Sequence, residues 1–342
     1  MYKPQQIARW LKLTALGVGG LFLAWRLQQT LQILLISLFL AGAIAPLVEK
    51  MQAYKIKRGW ALAIIYTVIL LVLVLVIAPL PRLLEELGQF FAKLPDLINQ
   101  IPIPDTAFWG VSRQQILELI QSGAILSQVQ SIGRDIANQT LEITLRLVSA
   151  IGIGLVSLVI TGYFVANSEV LLQRTLSLFP PVVTQQVNTL LPPITRCLSA
   201  YVLGRLGTSA LLGFCCYLVL TIAQVPYGAA LGFLLAVTNL VPFVGAFVGL
   251  ILIVIASWNL GAPKVITVVS ICFILQQIEA WILQPLLVGP YLNLSPFELL
   301  MSVIIGTELL GVVGSIIAPP IAAIGRIIFH HFWAKPDTPP DS

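Results

Sequence analysis

Charge is scarce in this sequence: only 10% of its 342 residues are Asp, Glu, Lys or Arg, whereas 58% are hydrophobic. Soluble domains are about 25% charged, and they cover an apolar interior with polar surface. The mean hydropathy of +0.96 points the same way. The composition therefore excludes an ordinary soluble domain, and it predicts that much of the apolar surface contacts a lipid bilayer.

Cysteine and histidine are also scarce, at four and two residues. The cysteines form neither a CxxC pair nor a spaced disulfide framework; they are Cys197, Cys215, Cys216 and Cys272. His330 and His331 are neighbours without a nearby Cys or carboxylate, which makes a poor metal site. The sequence therefore predicts no bound metal and no cofactor.

The short motifs of soluble enzymes and nucleic-acid-binding proteins are missing as well. The sequence has no GxSxG, P-loop or HExxH motif. It also has no basic stripe with interleaved aromatic residues. We therefore expect neither an enzyme nor a nucleic-acid partner, and any transport would run without ATP hydrolysis by this chain.

Long apolar runs are what the sequence does contain. A membrane-spanning helix needs roughly 20 mostly apolar residues. Eight segments are candidates: 11–27, 30–48, 60–80, 147–166, 206–223, 227–257, 265–284 and 298–329. The sixth is broken at Pro242 and the eighth near Gly311, so each is either a kinked span or a re-entrant pair of half-helices. We predict an all-α, polytopic integral membrane protein with about eight transmembrane helices.

The segments between these runs divide the chain into regions. Residues 1–81 hold the first three candidate helices, and residues 82–146 form an extracytoplasmic insert with an amphipathic helical pattern. Residues 147–333 hold the other five candidates. They include a less apolar cytoplasmic segment, 167–205, in which prolines predict turns between helices. The tail 334–342 is predicted to be disordered.

Basic residues in short loops indicate the orientation. They cluster near the N-terminus, around 50–58, within 174–205, at Lys264 and in the tail. With eight spans all of these lie on one side, so we expect both termini in the cytoplasm and the protein in the plasma or inner membrane. Small-residue faces at 149–154 and 228–232 are compatible with a homo-oligomer.

Two apolar segments break in the same way, at 226–245 and 296–314. Each opens with Pro and an aromatic residue, and runs through about ten mostly apolar residues. Each then reaches Thr-Asn-Leu at 238–240 or Thr-Glu-Leu at 307–309. With eight spans both segments begin on the outer side, so we expect parallel repeats whose Asn239 and Glu308 face one cavity.

Polar residues beside these breaks are the candidate binding site for a small polar solute or a cation. Pro242 has no N–H and clashes with the carbonyl of Thr238, which frees that carbonyl beside Asn239. A carboxylate in a membrane costs at least about 2.5–3.5 kcal/mol on insertion scales, so Glu279 and Glu308 are functional candidates. The full set is Thr238, Asn239, Pro242, Gln277, Glu279, Gln284 and Glu308. The alternative is that these side chains only bond one helix to another.

At these residues the chain resembles the autoinducer-2 exporter family, the PerM-like permeases. The resemblance rests on Val225–Gly245, on Gln277-Ile-Glu279 with Gln284-Pro285 and Gly289, and on Leu294-Ser-Pro296 with Gly311-Val-Val-Gly314. It implies a multi-spanning permease; some relatives are described as exporters of a small signalling molecule and others as sodium/proton antiporters. Leu286 and Glu308 depart from the family pattern, which often has a basic residue and an apolar or small residue at these positions.

Three functions remain open from the sequence. The first is a secondary transporter or exporter of a small polar solute. The second is a sodium/proton antiporter that uses Glu279 or Glu308. The third is a non-transporting membrane scaffold or assembly protein, with residues 82–146 as its working surface.

Overall fold

The computed structural model describes residues 26–99, 140–242 and 244–333, and these form helices and turns without any strand. The helices are α1 (Gln28–Ala53), α2 (Arg58–Ile77), α3 (Leu80–Asn99), α4 (Thr140–Ala166), α5 (Ser168–Leu176), α6 (Pro181–Ile222), α7 (Gly228–Thr238), α8 (Val244–Ser257), α9 (Ala262–Ile278), α10 (Gln284–Leu287), α11 (Gly289–Leu292) and α12 (Pro296–Trp333). The predicted all-α, polytopic fold is confirmed.

Among the described residues, five helices are long and apolar enough to cross a bilayer by length and composition alone, although the last of them reverses at Gly311. They are Thr30–Ala53, Arg58–Leu94, Pro181–Ile222, Ala262–Leu287 and Pro296–Trp333. A sixth is the pair Gly152–Ala166 and Ser168–Leu176, which bends by 73°. The expected helix at 11–27, the amphipathic pattern around 116–136 and the tail 334–342 lie outside the described residues.

Helix α6 is one continuous helix of 42 residues, where the sequence predicted a cytoplasmic segment followed by a separate span. The chain turns at Phe179 and Pro180, but Pro192 and Pro193 lie inside the helix. An internal proline costs about 3 kcal/mol or more. Continuous burial of one face from Cys197 to Leu220 offsets this cost and keeps the helix intact.

Residues 228–257 form a helical hairpin, hairpin one, in which α7 and α8 lie side by side. A Cβ added to Gly249 would lie 2.7 Å from Leu235 Cγ, whereas fourteen residues of straight helix span about 21 Å. The amides of Leu240 and Val241 close the turn by bonding to Val237 O at 3.2 Å and Thr238 O at 3.1 Å. Of the two alternatives for the sixth segment, the structure has the re-entrant pair.

Residues 296–333 form a second hairpin, hairpin two, within α12. Gly311 has φ 62° and ψ −143°, a conformation that suits glycine, and the chain reverses there. Across the reversal a Cβ on Gly306 would lie 2.6 Å from Ala318 Cβ. Arg326 Nη1 reaches Glu298 Oε2 at 2.9 Å, although 28 residues of straight helix span about 42 Å.

Each hairpin has an apex, where the chain reverses, and a mouth, where its two arms begin and end. The two hairpins enter the bundle from opposite ends. At one end Gln224 and Lys264 line a common groove beside the mouth of hairpin one. From there α9 and the residues that follow it run antiparallel to α6 until Val288 contacts Gly204. The mouth of hairpin two follows, where Ala323 packs with Tyr201 and Leu292. We call the two ends the Lys264 end and the basic end, which holds Lys57, Arg58 and Arg174.

This arrangement corrects two expectations. The repeats at 226–245 and 296–314 are inverted rather than parallel, because each folds back on itself and one crossing, α9, separates them. Lys264 lies at the same end as Gln224, whereas eight full spans would place the two at opposite ends. Both errors have one cause, since hydropathy measures apolar length and does not report the direction of the chain after a break.

The other helices hold hairpin one and α6 in place. Helix α3 packs Phe90 and Leu94 against hairpin one and the end of α6. Helix α4 packs on α1 and α2, where Thr161 Oγ1 donates to Ser37 O at 3.0 Å and Tyr66 Oη donates to Leu158 O at 2.6 Å. Helices α6, α7 and α9 therefore meet inside the bundle, and the polar residues lie where they meet.

Candidate functional site

One face of α6 carries polar side chains into the apolar interior. They recur at helical spacing and are all buried: Tyr201, Arg205, Thr208 and Ser209. Arg205 is only 4% exposed. A guanidinium in that position keeps its charge, so the surrounding elements must supply hydrogen-bond acceptors.

The apex of hairpin one supplies two groups to this face. Asn239 caps the C-terminus of α7 and is buried; its Nδ2 lies 3.3 Å from Ser209 Oγ and 3.5 Å from Glu279 Oε1. The carbonyl of Leu240 accepts a hydrogen bond from Arg205 Nε at 3.3 Å. The break in the sixth apolar segment thus brings both an amide and a main-chain carbonyl to Arg205.

Glu279 comes from the other side, at the start of a π-helical turn, Glu279–Leu283. It is 5% exposed and its Oε1 lies 3.4 Å from Arg205 Nη1. Single π-helical turns inside helices are frequent at functional sites. The pair is a buried salt bridge, a costly arrangement that is weak evidence for a purely stabilising role.

Gln284 completes the cluster from the first residue of α10. Its Nε2 donates to Glu279 Oε1 at 2.9 Å. We call Arg205, Ser209, Asn239, Glu279 and Gln284 the polar cluster. Three of its sequence-predicted members, Asn239, Glu279 and Gln284, are therefore brought together.

Thr238 and Pro242 shape the apex rather than line the cluster. Pro242 is buried at the turn. The Thr238 hydroxyl donates to Leu234 O at 2.8 Å, and its carbonyl accepts from the amide of Val241. The carbonyl expected to be free for a solute is thus occupied. The main-chain carbonyl that reaches the cluster belongs to Leu240.

Gln277 and Glu308 lie elsewhere. Gln277 is exposed, and its neighbour Gln276 is the buried one, since Gln276 shares a helix face with Glu279. Glu308 is exposed beside the apex of hairpin two, and it makes no hydrogen bond to the polar cluster among the residues that the structure describes. Asn239 and Glu308 do not face a common cavity.

Arg205 is the residue that sequence reasoning missed, because it was counted as a cytoplasmic charge that indicates orientation. The available signal was its spacing from Tyr201, Thr208 and Ser209, which places four polar residues on one face of an apolar helix. A basic residue in such a stripe is better explained by a buried partner than by a loop.

Two buried donors next to the polar cluster have no hydrogen-bond partner among the described residues. They are Tyr201 Oη, on a side chain 2% exposed, and Gln276 Nε2, on a side chain 6% exposed. Buried polar groups normally find a partner. In the described part of the chain, no three His, Cys, Asp or Glu side chains lie close enough to hold a metal ion.

Comparison with known proteins assigns this chain to a family. The sequence profile described as AI-2E family transporter matches residues 13–334. The chain belongs to the AI-2E transporter family. The expected resemblance to the autoinducer-2 exporters is thereby confirmed, and the protein is a multi-pass membrane protein of a transporter family.

Individual relatives share about a quarter of their residues with this chain. The Bacillus subtilis protein named "Putative transport protein YueF" is 25% identical over 300 residues, which are 85% of this chain and 80% of that protein. The Escherichia coli protein named "AI-2 transport protein TqsA" is 23% identical over 303 residues, 86% of this chain and 83% of its own. These names assign transport to the relatives and leave the solute of this member of the AI-2E family open.

Proposed function

We propose that this AI-2E family member is a secondary transporter that moves a small polar solute past the polar cluster at the apex of hairpin one. The observation that carries the proposal is the buried pair of Arg205 and Glu279 where α6, the hairpin apex and the π-helical turn meet. Helix breaks with polar side chains at the interface of repeats are the usual substrate sites of secondary transporters.

The bonds that Arg205, Ser209 and Asn239 make are long, whereas the bond from Gln284 Nε2 to Glu279 Oε1 is 2.9 Å. Arg205, Ser209 and Asn239 contact their partners at 3.3–3.5 Å, whereas charge-assisted hydrogen bonds are typically about 2.7–2.9 Å. A group that bonds loosely to its neighbours exchanges easily for a solute atom. This geometry supports a binding role over a purely structural one.

The proposal includes an orientation. The basic end, with Lys55, Lys57, Arg58 and Arg174, is the cytoplasmic side. Hairpin two opens toward this end, which supports the predicted cytoplasmic C-terminus. Replacing two full spans by two hairpins removes an even number of crossings, so with a helix at 11–27 the N-terminus is cytoplasmic as well.

Flux through purified protein in liposomes tests the function. A panel of radiolabelled polar metabolites is screened with the wild type, and the transported compound is then measured with Asn239→Ala. We expect Asn239→Ala to reduce the flux at least tenfold, because the amide links the hairpin apex to both Ser209 and Glu279.

The matched control is Gln277→Ala, which alters an exposed amide two residues from Glu279. It should transport like the wild type. Equal flux in Asn239→Ala and the wild type, with both proteins inserted and folded, would contradict the proposed site. Sodium gradients that change the internal pH would instead support the antiporter.

A further inference from the structure

Three N–H donors from three separate parts of the chain converge on one oxygen, Glu279 Oε1. They are Arg205 Nη1 at 3.4 Å, Asn239 Nδ2 at 3.5 Å and Gln284 Nε2 at 2.9 Å. Donors that converge in this way recognise a negatively charged oxygen. We propose that they form an oxyanion subsite which Glu279 fills while no solute is bound. The solute is then a small organic anion whose carboxylate, or equivalent oxyanion, replaces that of Glu279.

This inference rests on the proposed function and names its class of substrate. Glu279 is the common acceptor of α6, the hairpin apex and α10, so its carboxylate holds these three elements together. A solute anion that takes over the three donors preserves this link while it releases Glu279. The three elements therefore stay linked around the solute, and the site needs no cation besides Arg205.

The two unpartnered donors extend this subsite. Tyr201 lies one turn before Arg205 on α6, and Gln276 lies one turn before Glu279 on α9. Because α6 and α9 run antiparallel, the two donors lie on opposite sides of the ion pair. Both are nine-tenths buried or more and lack a partner among the described residues. They fit a solute that carries further oxygen atoms beyond its acidic group.

Charge balance couples the anion to a proton. An unpaired carboxylate beside a second anion is strongly unfavourable in a buried site. Among the described side chains around Glu279, Arg205 is the charged one and Tyr201 is the other titratable group on that face of α6, while Asn239 and Gln284 are neutral. A monovalent anion therefore enters the site together with one proton, and both leave on the other side. One proton moves with each monovalent anion, and no net charge crosses.

Chemical rescue tests the oxyanion subsite without knowledge of the natural solute. Glu279→Ala removes the internal carboxylate, and thermal unfolding in detergent is followed with acetate or acetamide at matched ionic strength. We expect acetate to raise the unfolding midpoint of Glu279→Ala, and acetamide to leave it unchanged. In the wild type, where the Glu279 carboxylate already fills the subsite, acetate should have a much smaller effect than in Glu279→Ala.

Glu308→Ala is the matched control, because it removes a carboxylate beside the other hairpin apex. Equal effects of acetate and acetamide on Glu279→Ala would overturn the inference, and so would an acetate effect of the same size on Glu308→Ala. If Glu279→Ala does not fold, Glu279→Gln replaces it. That variant should also be stabilised by acetate and not by acetamide, and equal effects of the two compounds would count against the inference.

The flanking donors are tested with gluconate, a hydroxylated carboxylate, and sorbitol, a polyol with the same number of carbons. Tyr201→Phe and Gln276→Leu each remove an unpartnered donor and keep the volume. We expect the unfolding midpoint to stay level or rise, and gluconate binding to weaken about fivefold or more, a loss typical of one hydrogen bond. Unchanged gluconate affinity in both variants would show that the two donors are not part of the subsite.

Liposome flux separates this inference from the proposed function. Gluconate should enter with one proton, reported by an internal pH dye, at a rate that does not depend on the membrane potential. Sorbitol flux that Asn239→Ala abolishes would overturn the anionic class and leave the proposed transport site standing. If acetate stabilises Glu279→Ala but no compound in the panel shows flux that Asn239→Ala reduces, the oxyanion subsite stands and the proposed transport site is contradicted.

Discussion

Hairpin one and hairpin two have similar backbones, but their apices lie in different surroundings. Both break after an apolar helix, at Asn239 and at Leu310–Gly311, and both fold back with tight helix contacts. The apex of hairpin one enters the polar cluster, whereas the apex of hairpin two exposes Leu309 and Val312, at 73% and 70%. Similar local sequences thus give similar backbones, and the neighbouring helices decide which apex becomes a binding site.

The ion pair beside the apex of hairpin one and the ion pair within hairpin two differ in the same way. Arg205 and Glu279 at the apex of hairpin one are almost fully buried. Arg326 and Glu298 at the mouth of hairpin two are about 37% and 45% exposed. Water screens the second pair but not the first, so the comparison predicts very different responses to the loss of one partner.

The largest expected effect is the loss of the buried partner. Glu279→Ala leaves the Arg205 guanidinium buried without its carboxylate, and breaking a buried pair in this way costs about 3–5 kcal/mol. Glu298→Ala should cost much less, because it removes an exposed pair with Arg326 and the capping contact with Ser295 but leaves no buried charge. Reversible unfolding in detergent measures both, and similar losses would remove the distinction between the two hairpins.

A smaller effect is expected from the tight contact inside hairpin two. Gly314→Ala would drive a Cβ into the carbonyl of Gly306, and such overpacking typically costs about 1–3 kcal/mol. Gly325→Ala lies in the same arm with open space around it. It should be neutral or slightly stabilising in the same unfolding assay. A neutral Gly314→Ala would show that the arms separate readily.

The smallest effect concerns how the hairpins begin. Hairpin two starts with a reciprocal cap, in which Ser295 N donates to Glu298 Oε2 at 2.7 Å and Glu298 N donates to Ser295 Oγ at 3.2 Å. Ser295→Ala should cost about 1 kcal/mol. Hairpin one starts at Tyr227 without a side-chain cap, with φ 60° and the ring packed against Phe90. Tyr227→Ser should therefore not stabilise the protein, because capping serines need an extended backbone and the packing with Phe90 is lost. The unfolding midpoints of the two variants, each compared with that of the wild type, test these expectations.

The candidate site was only partly predictable. Asn239, Glu279 and Gln284 were found because polar residues in apolar helices, next to breakers, are rare and costly. Gln277 was predicted although the adjacent Gln276 is the buried residue, because a helix face cannot be assigned without the helices that pack on it. Glu308 met the same criterion as Glu279, yet no helix brings it a partner in the described part of the chain.

Arg205 shows the limit of orientation rules. Counting basic residues treats each one as a solvated loop charge, and this holds for the exposed Lys55 and Lys57 at the basic end. It fails for Arg205, whose acceptors come from residues 35 and 74 positions away in the sequence. A long-range partner of this kind leaves no local trace except the polar stripe on α6.

The sequence by itself determined that this protein is an all-α membrane protein, because so few charges cannot cover so much apolar side chain in water. It also located both breaks, since Pro242 and Gly311 act on the local backbone. The tertiary structure decided that the breaks are hairpins that enter from opposite ends, and that only one of them reaches an ion pair. Those outcomes depend on packing between helices distant in sequence, such as Leu235 on Gly249 and Arg205 on Glu279. Local periodicity contains no information about such contacts.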